Sequence, residues 1–223
     1  MDNDTAFWEG NRSLLLAEIE RNIKKITKND LITKENDRKF KKFYEEIMPL
    51  AFLARKLNAS AIQFTDDTKK CKSYDAIFKF TSGEDKNIEV TCAVDENQIP
   101  LRKNHLEKYG FVSACSDVKY VKENGKKKII EQSHFISVEG NKICEKKLAQ
   151  ILTAFTHKNN LRRETYIGAI LLILVDVDGI NITKLSSFIA ENIHDIFYDT
   201  GIFDRIFLLS KNSSKYKDFF IEI

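Results

Sequence analysis

Residues 73–93 read SYDAIFKFTSGEDKNIEVTCA. Two β-rich apolar runs, 74–80 and 88–93, flank a polar, glycine-containing stretch at 81–87, the pattern of a β-hairpin. Side chains alternate along a strand, so Asp75, Ile77 and Lys79 share one face while Tyr74, Ala76, Phe78 and Phe80 share the other. On the second strand Glu89, Thr91 and Ala93 oppose Ile88, Val90 and Cys92. Pairing in even register sets Asp75 beside Glu89. Two carboxylates that converge repel each other unless a cation lies between them, and oxygen ligands of this kind suit Mg²⁺ or Mn²⁺. The plain alternative is a wet sheet face carrying two solvated acids.

Outward from the hairpin, the flanking segments have readable periods. Before it, apolar residues recur every three or four positions over 36–57 (Phe40, Phe43, Ile47, Leu50, Ala54 and Leu57), which predicts a helix. Pro49 falls inside this helix and should kink it or open a new first turn. Glu45 and Glu46 lie just ahead of it, either exposed or aimed at the hairpin. Residues 59–64 read as a strand beside the hairpin, and 66–72 as a polar loop. After the hairpin, 95–109 holds a short helix closed by Gly110. His105 lies there beside Arg102 and Lys103, a setting typical of a solvated histidine.

Residues 117–132 alternate on both sides of Asn124-Gly125, a pair that favours a type I′ turn and hence a second hairpin. Residues 141–157 read as a long helix with Gln150, Thr153, His157 and Lys158 near its C-terminal half. The continuous run IGAILLILVDV at 167–177 reads as a central strand covered on both faces. A helix at 181–197, capped by Asn181 or Thr183, leads to strands at 203–210 and 218–223. Strand, helix, strand in this order implies parallel pairing. The expected fold is an α/β sandwich whose mixed central sheet joins an antiparallel N-terminal part to a parallel C-terminal part. Residues 1–35, with Leu14, Leu15, Ile19, Ile23 and Ile26 at helical spacing, read as an N-terminal helical extension to an α/β domain at 36–223. Helix 13–26 is a candidate contact of a homodimer.

Composition bounds the function classes. The chain of 223 residues is 43% hydrophobic and 31% charged, enough apolar content for a full core in one large domain. The longest unbroken apolar run, 169–175, is too short to span a bilayer. Four cysteines (Cys71, Cys92, Cys115, Cys144) are spread without a CxxC pair, which argues against a zinc knuckle. Reduced thiols in a cytoplasmic protein are the simplest reading. Net charge is only +3, but residues 21–42 carry nine Lys/Arg against three Asp/Glu. Residues 119–128 carry five Lys against one Glu. Such patches engage phosphates, or are simply solvated. No Gly-rich phosphate loop, G-x-S-x-G elbow or H-E-x-x-H helix is present.

A helix, a strand, a hairpin with D…ExT, then helix and strand resembles the restriction-endonuclease-like, or PD-(D/E)XK, nuclease superfamily over residues 36–210. The resemblance implies a restriction-endonuclease-like α/β fold and Mg²⁺-dependent hydrolysis of DNA or RNA. It matches Asp75 to the family's aspartate and Glu89 to the acidic residue of the triplet, with the Val90 carbonyl as a further metal ligand. Glu46, or Glu45, corresponds to the helix carboxylate that joins the metal shell in some members. Thr91 stands where the family usually has its lysine. A threonine hydroxyl holds a water but supplies no positive charge, so Lys79 or Lys158 is the candidate replacement, with His157 and Gln150 near the latter. The competing reading is a degenerate nuclease fold that binds nucleic acid or a protein as an adaptor.

Overall fold

In the computed structural model, residues 7, 13–26, 41–65, 74–95, 98–110, 116–133, 140–161, 166–193 and 202–223 are described. The expected connection at 27–35 and the polar loop at 66–72 lie outside them. Among the described residues, seven strands form one sheet in the order β1-β2-β3-β4-β7-β8-β9. These are β1 (Ser13–Leu15), β2 (Ala61–Phe64), β3 (Ala76–Lys79), β4 (Asp85–Ala93), β7 (Ile170–Val175), β8 (Arg205–Ser210) and β9 (Phe220–Glu222). Neighbours from β1 to β4 are antiparallel, β4-β7-β8 are parallel, and β9 returns antiparallel. The central sheet is therefore mixed, as the order of apolar runs predicts.

Helices cover both faces. On one side lie α1 (Leu16–Lys25) and α2 (Met48–Lys56), on the other α4 (Gly140–Leu161) and α5 (Ile182–Asn192). Strict alternation along the parallel strands divides the core. Ile170, Leu172, Leu174, Phe207 and Leu209 pack with Leu50, Ile62 and Phe78. Leu171, Ile173, Val175, Ile206 and Leu208 pack with Leu148, Ile151, Leu185 and Ile189. All six residues of β7 are buried, which is why it reads as an unbroken apolar run.

Two details differ from the periodic reading. Leu14 and Leu15 keep helical spacing with Ile19, yet residues 13–15 pair with β2 and the helix starts only at Leu16. Pairing with an available strand outweighs local propensity here. Ahead of Pro49 the chain forms a π-helical turn, Phe43–Ile47, in which the Met48 N–H donates to the Phe43 carbonyl. Proline cannot donate to the carbonyl four residues back and its ring crowds that group, so a widened turn accommodates it. Pro49 then sits in the first turn of α2, where no donor is missed.

A separate two-stranded sheet pairs β5 (Ser116–Glu123) with β6 (Lys126–Ser133). Asn124 (φ 51°) and Gly125 (φ 76°) both take positive φ, as a type I′ turn requires. Its inner face rests on α3 (Gln98–Tyr109), where the Gln98 amide exchanges two hydrogen bonds with the Val118 backbone. Gly110 (φ 78°) ends α3, its N–H donating to the Leu106 carbonyl. His105 is buried with its ring 4.6 Å from that of Tyr109, so it is a packing residue rather than a solvated one.

Of the two caps proposed for α5, Asn181 is the one used: its Oδ1 accepts from the Lys184 N–H at 3.0 Å. Asn181→Ala is expected to cost about 1 kcal/mol, measured by urea denaturation. Thr183→Ala should be near neutral.

Candidate functional site

The register of the central hairpin brings the two acids together. Ala76 pairs with Ile88, Ile77 with Asn87 and Lys79 with Asp85, and one step beyond this ladder Asp75 faces Glu89. The Asp75 backbone is held from both sides. Its N–H donates to the Ile88 carbonyl at 2.9 Å, and its carbonyl accepts from the Thr65 N–H at 3.1 Å and the Thr65 hydroxyl at 3.0 Å. Its carboxylate accepts from the Val90 N–H at 2.8 Å. A strand residue's N–H and C=O point to the same side, so the Val90 carbonyl also leaves β4 toward Asp75.

Glu89 stands between Asp75 on one side and the apolar strand β7 on the other. It is paired with Leu171 across the parallel ladder and is 5% exposed. The Lys158 ammonium, in the last turn of α4, donates to its Oε1. The Tyr166 hydroxyl, just ahead of β7, is a second hydrogen-bond partner. Burial, and next the Asp75 charge, push the Glu89 carboxyl above its ordinary value, while Lys158 and Tyr166 oppose that rise. Thus a carboxylate pair, a lysine and a tyrosine meet where β3 stops and β4 continues.

The other candidates fall at three different places. Thr91 follows Glu89 on the same face, about 7 Å along the strand, and lines a cavity with Gln150 and His157. Lys79 shares a face with Asp75 but is about 13 Å away along the strand, where it forms an ion pair with Asp85 directly opposite. Glu45 and Glu46 lie on the α2 side of the sheet. Glu45 pairs with Lys211 at 2.7 Å and with Lys41 at 3.7 Å, and Glu46 with Lys42 at 4.0 Å. Near them burial raises the Cys92 thiol to about 11, which leaves it protonated and unreactive. Neither helix carboxylate joins the Asp75–Glu89 pair, and among the described residues no group of three or more His, Cys, Asp or Glu is placed to hold a metal ion.

Two carboxylates and a main-chain carbonyl remain as oxygen donors. That set fits Mg²⁺, which protein sites commonly hold through one or two carboxylates, leaving the rest of its shell to water and phosphate. Tyr166 had no signal in the sequence. It lies outside any period and reaches Glu89 only because the chain returns to β7, where its ring stacks on Phe203 at 5.6 Å.

No protein-family model, curated protein or solved structure matches this chain. Among the described residues, no helix is long and apolar enough to cross a membrane.

Proposed function

We propose that the chain is a divalent-metal-dependent nuclease on a restriction-endonuclease-like scaffold, hydrolysing phosphodiester bonds of nucleic acid. The observation that carries this reading is the Lys158 ammonium on Glu89, beside Asp75. It supplies from α4 the positive charge that Thr91 lacks in the triplet. Asp75, Glu89 and the Val90 carbonyl would hold the metal, which when bound supplies Lewis-acid charge and lowers the pKa of water. Lys158 then stands where negative charge develops on the phosphate, preorganised by its ion pair. The Thr91 hydroxyl orients the attacking water by hydrogen bonding. Tyr166 hydrogen-bonds Glu89 and, with Lys158, opposes the rise that burial imposes on its carboxyl.

The five lysines of β5–β6 are all exposed and suit sequence-independent phosphate contacts. Binding through them would weaken steeply with salt.

A second reading has its own observation. Lys158 already neutralises the buried Glu89, so a degenerate fold serving as a nucleic-acid-binding adaptor needs no metal at this place.

Calorimetric titration of Mg²⁺ and Mn²⁺, run with cleavage assays on DNA and RNA, separates the two. The nuclease reading expects metal-dependent cleavage that falls on the order of 10²–10³-fold in Asp75→Ala and in Glu89→Ala. It also expects metal binding that disappears in Glu89→Ala. Cleavage undiminished in the double variant would refute it. Nucleic-acid binding without metal uptake or cleavage would select the adaptor.

A further inference from the structure

A cavity of about 470 Å³ opens beside the carboxylate pair, between α4 and the C-terminal end of β4. Its strand wall begins at Thr91, two residues from Glu89 on the same face, and ends at Asp95. Its helix wall is a stripe of Lys146, Gln150, Thr153 and His157, spaced so that all lie on one side of α4. His157 precedes Lys158, so the cavity runs away from the Glu89–Lys158 pair along about 16 Å of helix.

The chemistry of the walls is specific. The Gln150 Oε1 is buried without a hydrogen-bond partner among the described residues, as are the Asn159 Oδ1 and the Tyr216 hydroxyl, and of the three Gln150 is the one that lines this cavity. The Thr153 hydroxyl spends its proton on the Ala149 carbonyl at 2.8 Å, so it meets the cavity as an acceptor. Turned toward the cavity, the Gln150 amide offers a donor and an acceptor side by side, which matches the edge of a nucleobase, and a carboxylate such as Asp95 accepts from an exocyclic amine. Lys146 adds a cation at the far end. The volume falls in the range of small-ligand pockets, roughly 300–1,000 Å³. One nucleotide fits such a space. A base held in a duplex stack cannot enter it, because its pairing edge is occupied and its faces are covered.

We propose that this cavity binds one unpaired nucleotide next to the phosphate held at Asp75 and Glu89, which makes single-stranded nucleic acid the substrate class. The role as a substrate subsite rests on the nuclease reading above. The recognition of a nucleotide rests on the cavity itself.

The test measures binding in metal-free buffer with EDTA, so that nothing is cleaved. The probes are nucleoside and deoxynucleoside monophosphates and a fluorescent octanucleotide, offered single-stranded and as a duplex. Single strands and mononucleotides should bind, with the duplex at least tenfold weaker. Gln150→Leu, close in shape but without the amide, should weaken mononucleotide binding at least tenfold while keeping the melting temperature. Ala149→Trp, which fills the cavity from an exposed helix position, should do the same by blocking it. Duplex bound as tightly as single strand, or wild-type affinity in both variants, overturns the proposal. If the wild type cleaves nucleic acid and Gln150→Leu leaves KM unchanged, the pocket fails and the nuclease stands. If nothing is cleaved yet Gln150→Leu loses mononucleotide binding, the nuclease fails and the nucleotide pocket stands.

Discussion

Replacing Lys158 by methionine is expected to lower stability by about 2–3 kcal/mol near pH 8 and by much less near pH 4. Methionine keeps most of the apolar stem and removes the charge, so the change isolates the ion pair. Glu89 is 7% exposed at its side chain and Lys158 22%, so water reaches the lysine and the cost falls toward the low end for breaking a buried pair. The pH dependence follows from the direction of the Glu89 shift. Its folded-state value already lies above the ordinary carboxylate value of 4.5. Between those values the folded protein binds a proton that the unfolded chain has released, so stability falls as pH rises through that window. Without Lys158 the opposing pull is gone, the folded value moves higher still and the window widens. The deficit relative to wild type should therefore grow with pH, and urea denaturation at several pH values measures it. A deficit independent of pH would mean that Lys158 contributes packing and not charge compensation.

Phe78→Ala should produce the largest loss of stability, about 3–5 kcal/mol. The ring is fully buried, stands opposite Ile62 of β2 and belongs to the core layer beneath α2. Phe78 sits on a strand paired on both sides, so the backbone around the deleted ring is held in place and resists collapse into the space. Guanidinium titration reads the loss directly. Because Phe78 faces away from Asp75 and Glu89, the folded fraction should give the same metal and mononucleotide titrations as the wild type. A loss of binding out of proportion to unfolding would show that the hairpin transmits core packing to the carboxylate pair.

These expectations depend on features that the sequence exposes unequally. The pairing of Asp75 with Glu89 was legible because the registers that keep Phe78 and Ile88 on the core face also put the two polar sets together, and the length of the 81–87 turn selects among them the one that sets Asp75 opposite Glu89. That register also sets Lys79 opposite Asp85, so the ion pair that keeps Lys79 from the site was already implied by the same count. Lys158 was legible only as the end of a helix that crosses the sheet. Its distance from Glu89 depends on how α4 lies across β4, which no local period encodes. Tyr166 and the placement of Glu45 beside Lys211 were invisible for the same reason: both arise where distant segments meet. In the fold, Asn124-Gly125 and the unbroken run of β7 specify their structures locally. Strand β1 does not, since three residues of leucine-rich sequence become a strand only when β2 is there to receive them.

Among the described residues, the two margins of the seven-stranded sheet, β1 and β9, are each three residues long. A chain that adds itself to a sheet edge gains affinity rung by rung from backbone hydrogen bonds, and here the rail is too short for more than a brief hold. Filament-like stacking and strand exchange between copies are thereby discouraged at both margins. At these two margins, association of two copies would rest on side-chain surfaces rather than on an added backbone ladder.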